Sequence, residues 1–379
     1  MAKNIVILLD GTSNEISADR TNILRLYGAL SKNSEQLVYY DPGVGTFGAE
    51  RAWSRLLRKT YEVWGMATGW GLDANVKEAY RFLVENYNRD PDGTRDRIYV
   101  FGFSRGAYSA RVLAGFIHSF GLMEPKSLNL LDYAYRAYKR IGAAGDADAF
   151  AEMRLFERIL RPDRPPIRLL GLFDTVASVI ESGRVLPRLR NHAHTSNNSS
   201  VEAVRHAVAI CERRTMFQPQ LWPEGQSYSA NRFDHSQAVP QNSKEVWFRG
   251  VHGDIGGGYP EKESALAKVP LHWMIQETEK FGLDYKTRTV NDLVLGKGKA
   301  SKYVPPSSTG APHDSMNLGW SILEFLPRRK SLASQRASIL GWTIPLMERR
   351  ILPEGARIHH SVKKAGNMPP NVPYRHAIE

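Results

Sequence analysis

The chain has little cysteine and few long apolar runs. Its single cysteine among 379 residues, Cys211, excludes an intrachain disulfide, so the sequence implies no oxidising compartment. No apolar stretch approaches the roughly 18 residues of a membrane-spanning helix. The apolar run in the N-terminal MAKNIVILLDGT is too short for a signal peptide. We therefore expect a protein made in the cytoplasm, without a transmembrane segment.

The sequence also lacks the usual signatures of metal and nucleic-acid binding. It has no Cys/His cluster with zinc-ligand spacing, no RNA-binding signature and no helix-turn-helix pattern. We therefore expect no cofactor, no metal and no nucleic-acid partner. The net charge of +12 favours anionic partners such as a phospholipid surface, although basic residues spread along the chain also serve solubility. Nothing in the pattern indicates an oligomeric state.

The most informative positive feature is RIYVFGFSRGAYSARVLAGF, residues 97–116. Arg97–Phe103 is a short apolar run rich in β-formers, which is typical of a buried strand. Gly102–Gly106 matches G-x-S-x-G, and from Ala107 the apolar residues recur at helical spacing. Strand, tight turn and helix in this order predict the nucleophile elbow of an α/β-hydrolase, with Ser104 as nucleophile. The alternative is an ordinary tight turn with an idle serine.

Apolar runs and helical patterns alternate along the chain. Continuous apolar runs, typical of a parallel sheet covered on both faces, predict strands at Asn4–Leu9, Gln36–Tyr40, Arg97–Phe103, Ile167–Phe173 and Glu245–Val251. Helical spacing predicts helices at Thr21–Leu30, Asn75–Tyr87, Arg105–Phe120, Leu130–Ile141, Asp146–Leu160 and Val201–Ala209. We expect a doubly wound, α/β-hydrolase-like fold: a mostly parallel central sheet, helices on both faces and lid-like insertions. One catalytic domain over residues 1–379 fits this pattern better than two.

A nucleophilic serine needs a base, normally histidine, and a carboxylate that orients it. In α/β-hydrolases these follow in the order serine, acid, histidine. Asp174 ends the predicted strand after the elbow, and Asp254 ends the next one. The acid commonly lies two strands beyond the nucleophile, which favours Asp254 and leaves Asp174 as the alternative.

The order then restricts the base to the histidines after Asp254. His272 lies in a helical pattern that suits a packing or surface residue. The others lie outside the predicted strands and helices, and position alone does not choose among them. The five candidates are His272, His313, His359, His360 and His376.

Acyl transfer also needs backbone N–H donors for the oxyanion. One donor should be Arg105, which follows the nucleophile. The loop Asp10-Gly11-Thr12, directly after the first strand, is the candidate for the second, since Gly11 would let the backbone approach the substrate. The same motif admits a phosphatase with Asp10 as nucleophile. That chemistry normally uses a second aspartate two residues on, where Thr12 stands.

Two segments have the composition of interfacial elements. Residues 47–70 carry Trp53, Trp64 and several arginines, and residues 318–350 combine apolar and basic residues in the same way. Basic amphipathic helices with tryptophan predict a lid or membrane-docking element, and ordinary packing helices are the alternative. We assign Asp10, Trp53 and Trp64 to the substrate pocket or lid.

Several separated segments together resemble one family, the α/β-hydrolases typified by the first class of type VI secretion lipase effectors. The resembling segments are LLDGTSN, YYDPGVGT, FGFSRGAYSARVLAG, FDTVAS, RHAVAICERRTMFQPQLW, VWFRGVHGDIGGGY, LAKVPLHWM, PHDS and IHHSV. The resemblance implies a phospholipase or related carboxylic-ester hydrolase that uses a triad and no cofactor. It places the nucleophile on Ser104, the acid on Asp254 and the base on His359, with His360 beside it.

We therefore expect a serine ester hydrolase of the phospholipase A type that works through an acyl-enzyme. Its expected partners are a lipid or other ester substrate and the surface of an anionic membrane. A soluble carboxylesterase and a non-catalytic binding module on the same fold are the alternatives. The resemblance also admits export by a type VI route.

Overall fold

An eight-stranded sheet organises the molecule. The computed structural model of the chain describes residues 2–11, 19–43, 71–90, 92–144, 147–176, 180–181, 188–189, 192–231, 234, 236–298, 301–329, 334, 336–366, 368–373 and 375–379. Every neighbouring pair of strands in the sheet is parallel. The strands are β1 (Asn4–Leu9), β2 (Gln36–Asp41), β3 (Arg97–Phe103), β4 (Ile167–Phe173), β5 (Ala203–Ala209), β6 (Asn242–Phe248), β7 (Arg357–Ile358) and β8 (Ala377–Ile378). Their spatial order is β8-β7-β6-β5-β4-β3-β1-β2.

Helices occupy the connections between many of these strands. They are α1 (Asn22–Ala29), α2 (Leu72–Asn86), α3 (Arg105–Phe120), α4 (Leu131–Ala144), α5 (Ala147–Leu160), α6 (His252–Gly256), α7 (Lys268–Glu279), α8 (Leu318–Glu324) and α9 (His360–Lys364). Shorter helical turns lie at Pro125–Leu130, Thr215–Phe217, Glu261–Glu263, Thr287–Thr289 and Val290–Val294.

The sheet is covered on both faces. Ile5, Ile7 and Leu9 of β1 belong to a core shared with α2, α3 and α4. Val6 and Leu8 belong to a second core, shared with α1 and α7. Because successive side chains of a strand point to opposite faces, the two cores lie on opposite sides of the sheet. The predicted fold class, an α/β-hydrolase-like parallel sheet with helices on both faces, is confirmed.

One predicted helix is wrong. Residues 201–209 were expected to be helical, but Ala203–Ala209 forms β5, a fully buried strand between β4 and β6. A short apolar run that is buried on both faces has no amphipathic period, so periodicity alone does not separate strand from helix. The strand also buries two polar side chains: Arg205 pairs with Glu277, and His206 lies 2.9 Å from Glu245.

The position of β1 makes a topological switch point in the sheet. β1 pairs with β2 on one side and with β3 on the other, so the strand order reverses between β1 and β3. Loops that leave the carboxyl ends of these strands diverge, and ligands of open α/β sheets bind at such a point. Asp10 follows β1 and Ser104 follows β3, which places both residues at this point.

Of the two expected lid segments, the structure describes parts of only one. Residues 47–70, with Trp53 and Trp64, lie outside the described residues. Residues 318–350 contain α8, followed by Arg328–Arg329 paired antiparallel with Trp342–Thr343. Within the parts of the chain that the structure describes, none of the helices combines the length and the apolarity that a bilayer-crossing segment needs. The assignment of residues 1–379 to one domain stays a prediction.

Candidate active site

Ser104 sits on a strained turn between β3 and α3. Its backbone has φ 58° and ψ −122°, a conformation that residues with a side chain rarely adopt. The turn is anchored to the neighbouring strand, since the Ser104 N–H donates to the Phe173 carbonyl at 3.0 Å. The predicted succession of strand, tight turn and helix is therefore present, and it projects the serine from the carboxyl edge of the sheet.

The two glycines of the motif allow the chain to pack closely around the serine. A Cβ on Gly102 would lie 2.4 Å from the Gly106 carbonyl oxygen, and a Cβ on Gly106 would lie 2.2 Å from the Leu9 carbonyl oxygen. Both distances are far below any real Cβ contact, so neither position accepts a side chain without backbone movement. The end of β1 therefore packs directly against the first turn of α3.

A histidine completes a hydrogen-bonded line with the serine. His252 Nε2 lies 2.8 Å from Ser104 Oγ, and its Nδ1 lies 2.6 Å from Asp174 Oδ2. In the tautomer with its proton on Nδ1, the imidazole donates to the aspartate and accepts from the serine. The ring is buried between Phe103 and Phe217, whose centroids lie 4.7 and 4.9 Å away. Serine, imidazole and carboxylate are thus aligned as in a serine-hydrolase triad.

Burial shifts the pKa of His252. Removal from water lowers the pKa of the imidazole below 6.5, although the hydrogen bond and charge of Asp174 act in the opposite direction. The neutral imidazole is the form that can accept a proton from serine. A lowered pKa keeps that form in the majority at neutral pH.

Asp174 is completely buried at the end of β4 and also has a positive φ, 41°. Its Oδ1 accepts from the Ala209 N–H at 2.9 Å and from Arg350 Nη1 at 2.6 Å, and Arg350 Nη2 donates to Oδ2 at 2.9 Å. Burial by itself would raise the pKa of this carboxyl. The charge of Arg350 and the hydrogen bonds from His252 and Arg350 outweigh it and hold the pKa well below its usual range.

A second carboxylate, Glu212, holds the backbone of the histidine. Its Oε2 accepts from the His252 N–H at 3.1 Å, and its Oε1 accepts from the Ser315 hydroxyl at 2.9 Å. Arg214 contacts both carboxylate oxygens at 2.9 Å. Burial opposes the ionised form of Glu212, but Arg214 prevails and lowers the pKa of the carboxyl to about 2. The start of α6 is therefore fixed by an ionised side chain.

The predicted acid, Asp254, makes its hydrogen bonds away from the serine. Its Oδ1 lies 2.6 Å from His313 Nδ1, and its Oδ2 accepts from the backbone N–H groups of His313 and Val251. Asp254 therefore joins the loop at His313 to the first turn of α6. The carboxylate that the structure pairs with the histidine at Ser104 is the alternative, Asp174.

The predicted base, His359, also lies elsewhere. Its Nδ1 is 2.7 Å from Ser361 Oγ, and its ring stacks on Phe248 with centroids 4.6 Å apart. Burial, aided by the nearby charges of His360 and Lys364, lowers the pKa of His359 to about 3. His360 is exposed, and its ring lies 3.3 Å from the Glu379 carbonyl. The expectation that one of these histidines, or His313, is hydrogen bonded to Ser104 is therefore corrected to His252.

Both differences come from choosing the acid by strand count: Asp174 follows the first strand after the elbow, so a count of two strands does not select it even when β5 is included. The missed strand β5 lies between Asp174 and Asp254, so Asp254 follows the third strand after the elbow and not the second. Starting the search for a base after Asp254 then excluded His252 by two residues. Keeping Asp174 as the acid would have admitted His252, because Ser104, Asp174 and His252 follow the expected order in the chain.

Of the expected oxyanion donors, the structure describes Arg105 and Gly11, and the end of β1 that precedes Gly11 packs against the elbow at Gly106. Arg105 begins α3, directly after the serine. The Gly11 N–H donates to Asp10 Oδ1 at 2.7 Å, and Asp10 Oδ2 accepts from the hydroxyls of Thr21 and Tyr40. Asp10 is therefore buried and orders its own loop. Thr12 lies outside the described residues, and the oxyanion hole stays a prediction.

The described residues do not form a cluster of metal-ligating side chains. Within these ranges, no three or more His, Cys, Asp and Glu side chains are grouped so that they could hold a metal ion.

The sequence matches one family over most of its length. The profile described as "T6SS, Phospholipase effector Tle1-like, catalytic domain" matches residues 3–277. The chain belongs to this family. The matched region of the Tle1-like catalytic domain contains Ser104, Asp174 and His252, and it ends within α7, before Arg350.

The individual proteins that resemble this chain share 18–34% of the aligned residues with it and are longer than the matched part. The "Uncharacterized protein YEL023C" of Saccharomyces cerevisiae is 34% identical over 412 residues, covering 77% of this chain and 59% of that protein. An uncharacterized protein from Pseudomonas aeruginosa has a crystal structure 18% identical to this chain, with a TM-score of 0.37, covering 75% of this chain and 46% of that one. A Tle1 effector structure, solved bound to the VgrG spike of the type 6 secretion system, is 22% identical with a TM-score of 0.32, covering 70% and 53%. The chain thus spans about half the length of these proteins.

Proposed function

We propose that this protein is a serine ester hydrolase that cleaves acyl esters of phospholipids through Ser104, His252 and Asp174. One observation carries the proposal: an imidazole hydrogen bonded to both Ser104 Oγ at 2.8 Å and Asp174 Oδ2 at 2.6 Å, beside a strained turn. Family membership supports the same class of chemistry.

In the proposed acylation, Ser104 Oγ attacks the ester carbonyl carbon while His252 Nε2 takes the hydroxyl proton. The tetrahedral oxyanion is stabilised by the Arg105 N–H and by a second N–H, assigned to Thr12 because the Gly11 N–H donates to Asp10 Oδ1. The imidazolium then gives its proton to the departing alkoxide, which leaves as lysophospholipid. The acyl chain stays esterified to Ser104, and Asp174 remains ionised throughout.

In deacylation the same groups act on water. His252 takes a proton from the water molecule as its oxygen attacks the acyl-enzyme carbonyl. Collapse of the second tetrahedral intermediate releases the fatty acid, and the proton returns from His252 to Ser104 Oγ. No proton is gained or lost by the triad over one turnover.

The segment around α8 favours lipid over small soluble esters. More than half of the exposed large hydrophobic side chains among the described residues lie between positions 322 and 346. We call this the apolar surface: Ile322, Phe325, Leu326, Ile339, Leu340, Trp342, Ile344 and Leu346. Exposed apolar side chains concentrated in one segment are typical of sites of interaction with membranes or proteins.

The apolar surface is connected to the triad. Trp320 of α8 meets the Phe217 ring edge-on at 5.4 Å, and Phe217 packs against His252. Arg349, three residues after Leu346 in the sequence, is exposed, and the net charge of the chain is +12. An anionic bilayer would receive both the apolar side chains and the positive charge, so we propose that this surface docks on the lipid that supplies the substrate.

Purified protein tests the proposed reaction directly. With vesicles of phosphatidylethanolamine and phosphatidylglycerol, we expect free fatty acid and lysophospholipid as products, measured by mass spectrometry. A fluorophosphonate probe should label Ser104, identified in the corresponding peptide. Hydrolysis of short-chain soluble esters alone would indicate a carboxylesterase. Absence of both labelling and hydrolysis would indicate a binding module and overturn the proposal.

The apolar surface has its own test. Leu340 and Ile339 are 95% and 81% exposed, so I339D/L340D should fold normally while its hydrolysis of anionic vesicles falls by at least about tenfold. Its rate on a dissolved short-chain ester should match that of the wild type. Ile159→Asp is the control, because Ile159 is also exposed but lies on α5. Equal vesicle rates for the double variant and the control would contradict docking through this surface.

A further inference from the structure

We propose that Arg350 is a positioning residue for the reaction: it fixes the carboxylate of Asp174 and lowers the pH at which the Asp174–His252 pair takes up a proton. This inference rests on the proposed function. Arg350 lies 176 residues beyond Asp174 in sequence and outside the region matched by the family.

The contact between Arg350 and the acid is bidentate. Nη1 donates to Asp174 Oδ1 at 2.6 Å and Nη2 donates to Oδ2 at 2.9 Å. Two parallel hydrogen bonds define the plane of a carboxylate, which a lysine ammonium cannot do. The orientation set in this way leaves Oδ2 facing His252 Nδ1.

The guanidinium is itself held rigidly. It is almost completely buried, and it also donates to the carbonyls of Ala209, at 2.9 Å, and Phe217. The Arg350 carbonyl accepts from Asn371 Nδ2 at 3.0 Å. Each of these partners belongs to a different segment, so the arginine is fixed before substrate arrives.

Burial makes a cation necessary at this position. Asp174 is fully buried, and an ionised carboxylate removed from water is strongly destabilised unless it is paired and hydrogen bonded. Without Arg350, the carboxylate would keep the Ala209 N–H and the imidazole as partners. The His252 imidazole would then be the only side chain hydrogen bonded to this carboxylate.

The effect on the proton affinity of the pair has a definite sign. Among the described residues, charged groups reach His252 from several sides: Asp174 at Nδ1, Glu212 at its backbone N–H and Arg214 over the neighbouring Phe217 ring. Arg350 acts on it through Asp174. Removing the cation at Arg350 leaves the two carboxylates less compensated. A proton on the pair is then stabilised, whichever partner holds it, so the pair should take it up at a higher pH.

Arg350→Met tests this by removing the charge while keeping much of the side-chain volume. For a soluble ester, we expect the acid limb of the kcat/KM profile to move upward by about one pH unit, with a fall in kcat. NMR titration of the His252 imidazole in the S104A background should show the same upward shift. The titration needs no turnover, so it separates failure of this inference from failure of the proposed hydrolysis.

Arg111→Met is the matched control. Arg111 is also fully buried and donates to the carbonyls of Thr195, Gln220 and Leu221, away from the triad. The R111M variant should be less stable than the wild type, and the acid limb of its kcat/KM profile should stay at the wild-type pH. An acid limb and an imidazole titration that stay at their wild-type positions in R350M would overturn the inference.

Arg350→Lys decides the matter if the methionine variant does not fold. Lysine keeps the positive charge but loses the fork, so the acid limb should stay in place while kcat falls by about tenfold or more. Wild-type kcat in this variant would overturn the positioning role.

Discussion

Ser104→Ala is expected to reduce kcat/KM for ester hydrolysis by at least about 10⁴-fold while leaving the fold intact. Alanine removes the attacking oxygen and its hydrogen bond to His252, but it keeps the backbone at the same positive φ. Steady-state kinetics on vesicles and on a soluble ester measure the loss, and thermal unfolding checks the fold.

Ser109→Ala is the appropriate comparison. Ser109 is buried on the same helix, α3, five residues after the proposed nucleophile. It should retain activity close to that of the wild type. Hydrolysis by S104A at the wild-type rate would rule out the acyl-enzyme mechanism altogether.

The second large expected effect is a difference in kcat/KM between variants of two histidines, His252 and His359. His252→Gln should lower kcat/KM by about 10⁴- to 10⁶-fold, because glutamine has a similar extent but cannot take a proton from serine. His359→Gln should leave kcat/KM within a few-fold of the wild type. The H359Q substitution should instead lower the free energy of unfolding by about 1 kcal/mol, because His359 caps α9 and stacks on Phe248.

Kinetics and denaturant unfolding of the two variants in parallel distinguish these effects. A large loss of activity in H359Q combined with near-normal activity in H252Q would restore the family-based choice of base. It would also mean that the hydrogen bond between His252 and Ser104 has no catalytic significance.

The features predicted correctly from sequence are local. The elbow needs only neighbouring residues: a β-forming run, two glycines around Ser104 and a helical pattern after it. The alternation of apolar runs with helices was likewise enough for the doubly wound architecture. Each of these features depends only on residues that are close together in the sequence.

The acid and the base are not local, because choosing them requires the order of strands in the sheet. Reading Ala203–Ala209 as a helix made Asp254 appear to follow the second strand after the elbow, whereas Asp174 follows the first. The same strand supplies the Ala209 N–H to Asp174, so the error concerned the strand that supports the proposed acid. Arg350 carries no motif in its segment and is recognisable only in three dimensions.

Two of the residues that the sequence suggested for the triad contact each other and not Ser104. Asp254 and His313, both named as triad candidates, form a close pair 2.6 Å apart. The pair ties a distant loop to α6, which begins with His252. Spacing and residue type therefore detected a real carboxylate–imidazole contact, but not its relation to the serine.

The late position of Arg350 has a consequence for the growing chain. A polypeptide emerging from the ribosome exposes Ser104, Asp174 and His252 long before residue 350, and β7 and β8 come later still. Folding during synthesis proceeds from the N-terminus, so the nascent protein holds an acid whose counter-charge has not yet been made. If the proposed hydrolysis is correct, its activity should stay weak until the segment that carries Arg350 has emerged and folded.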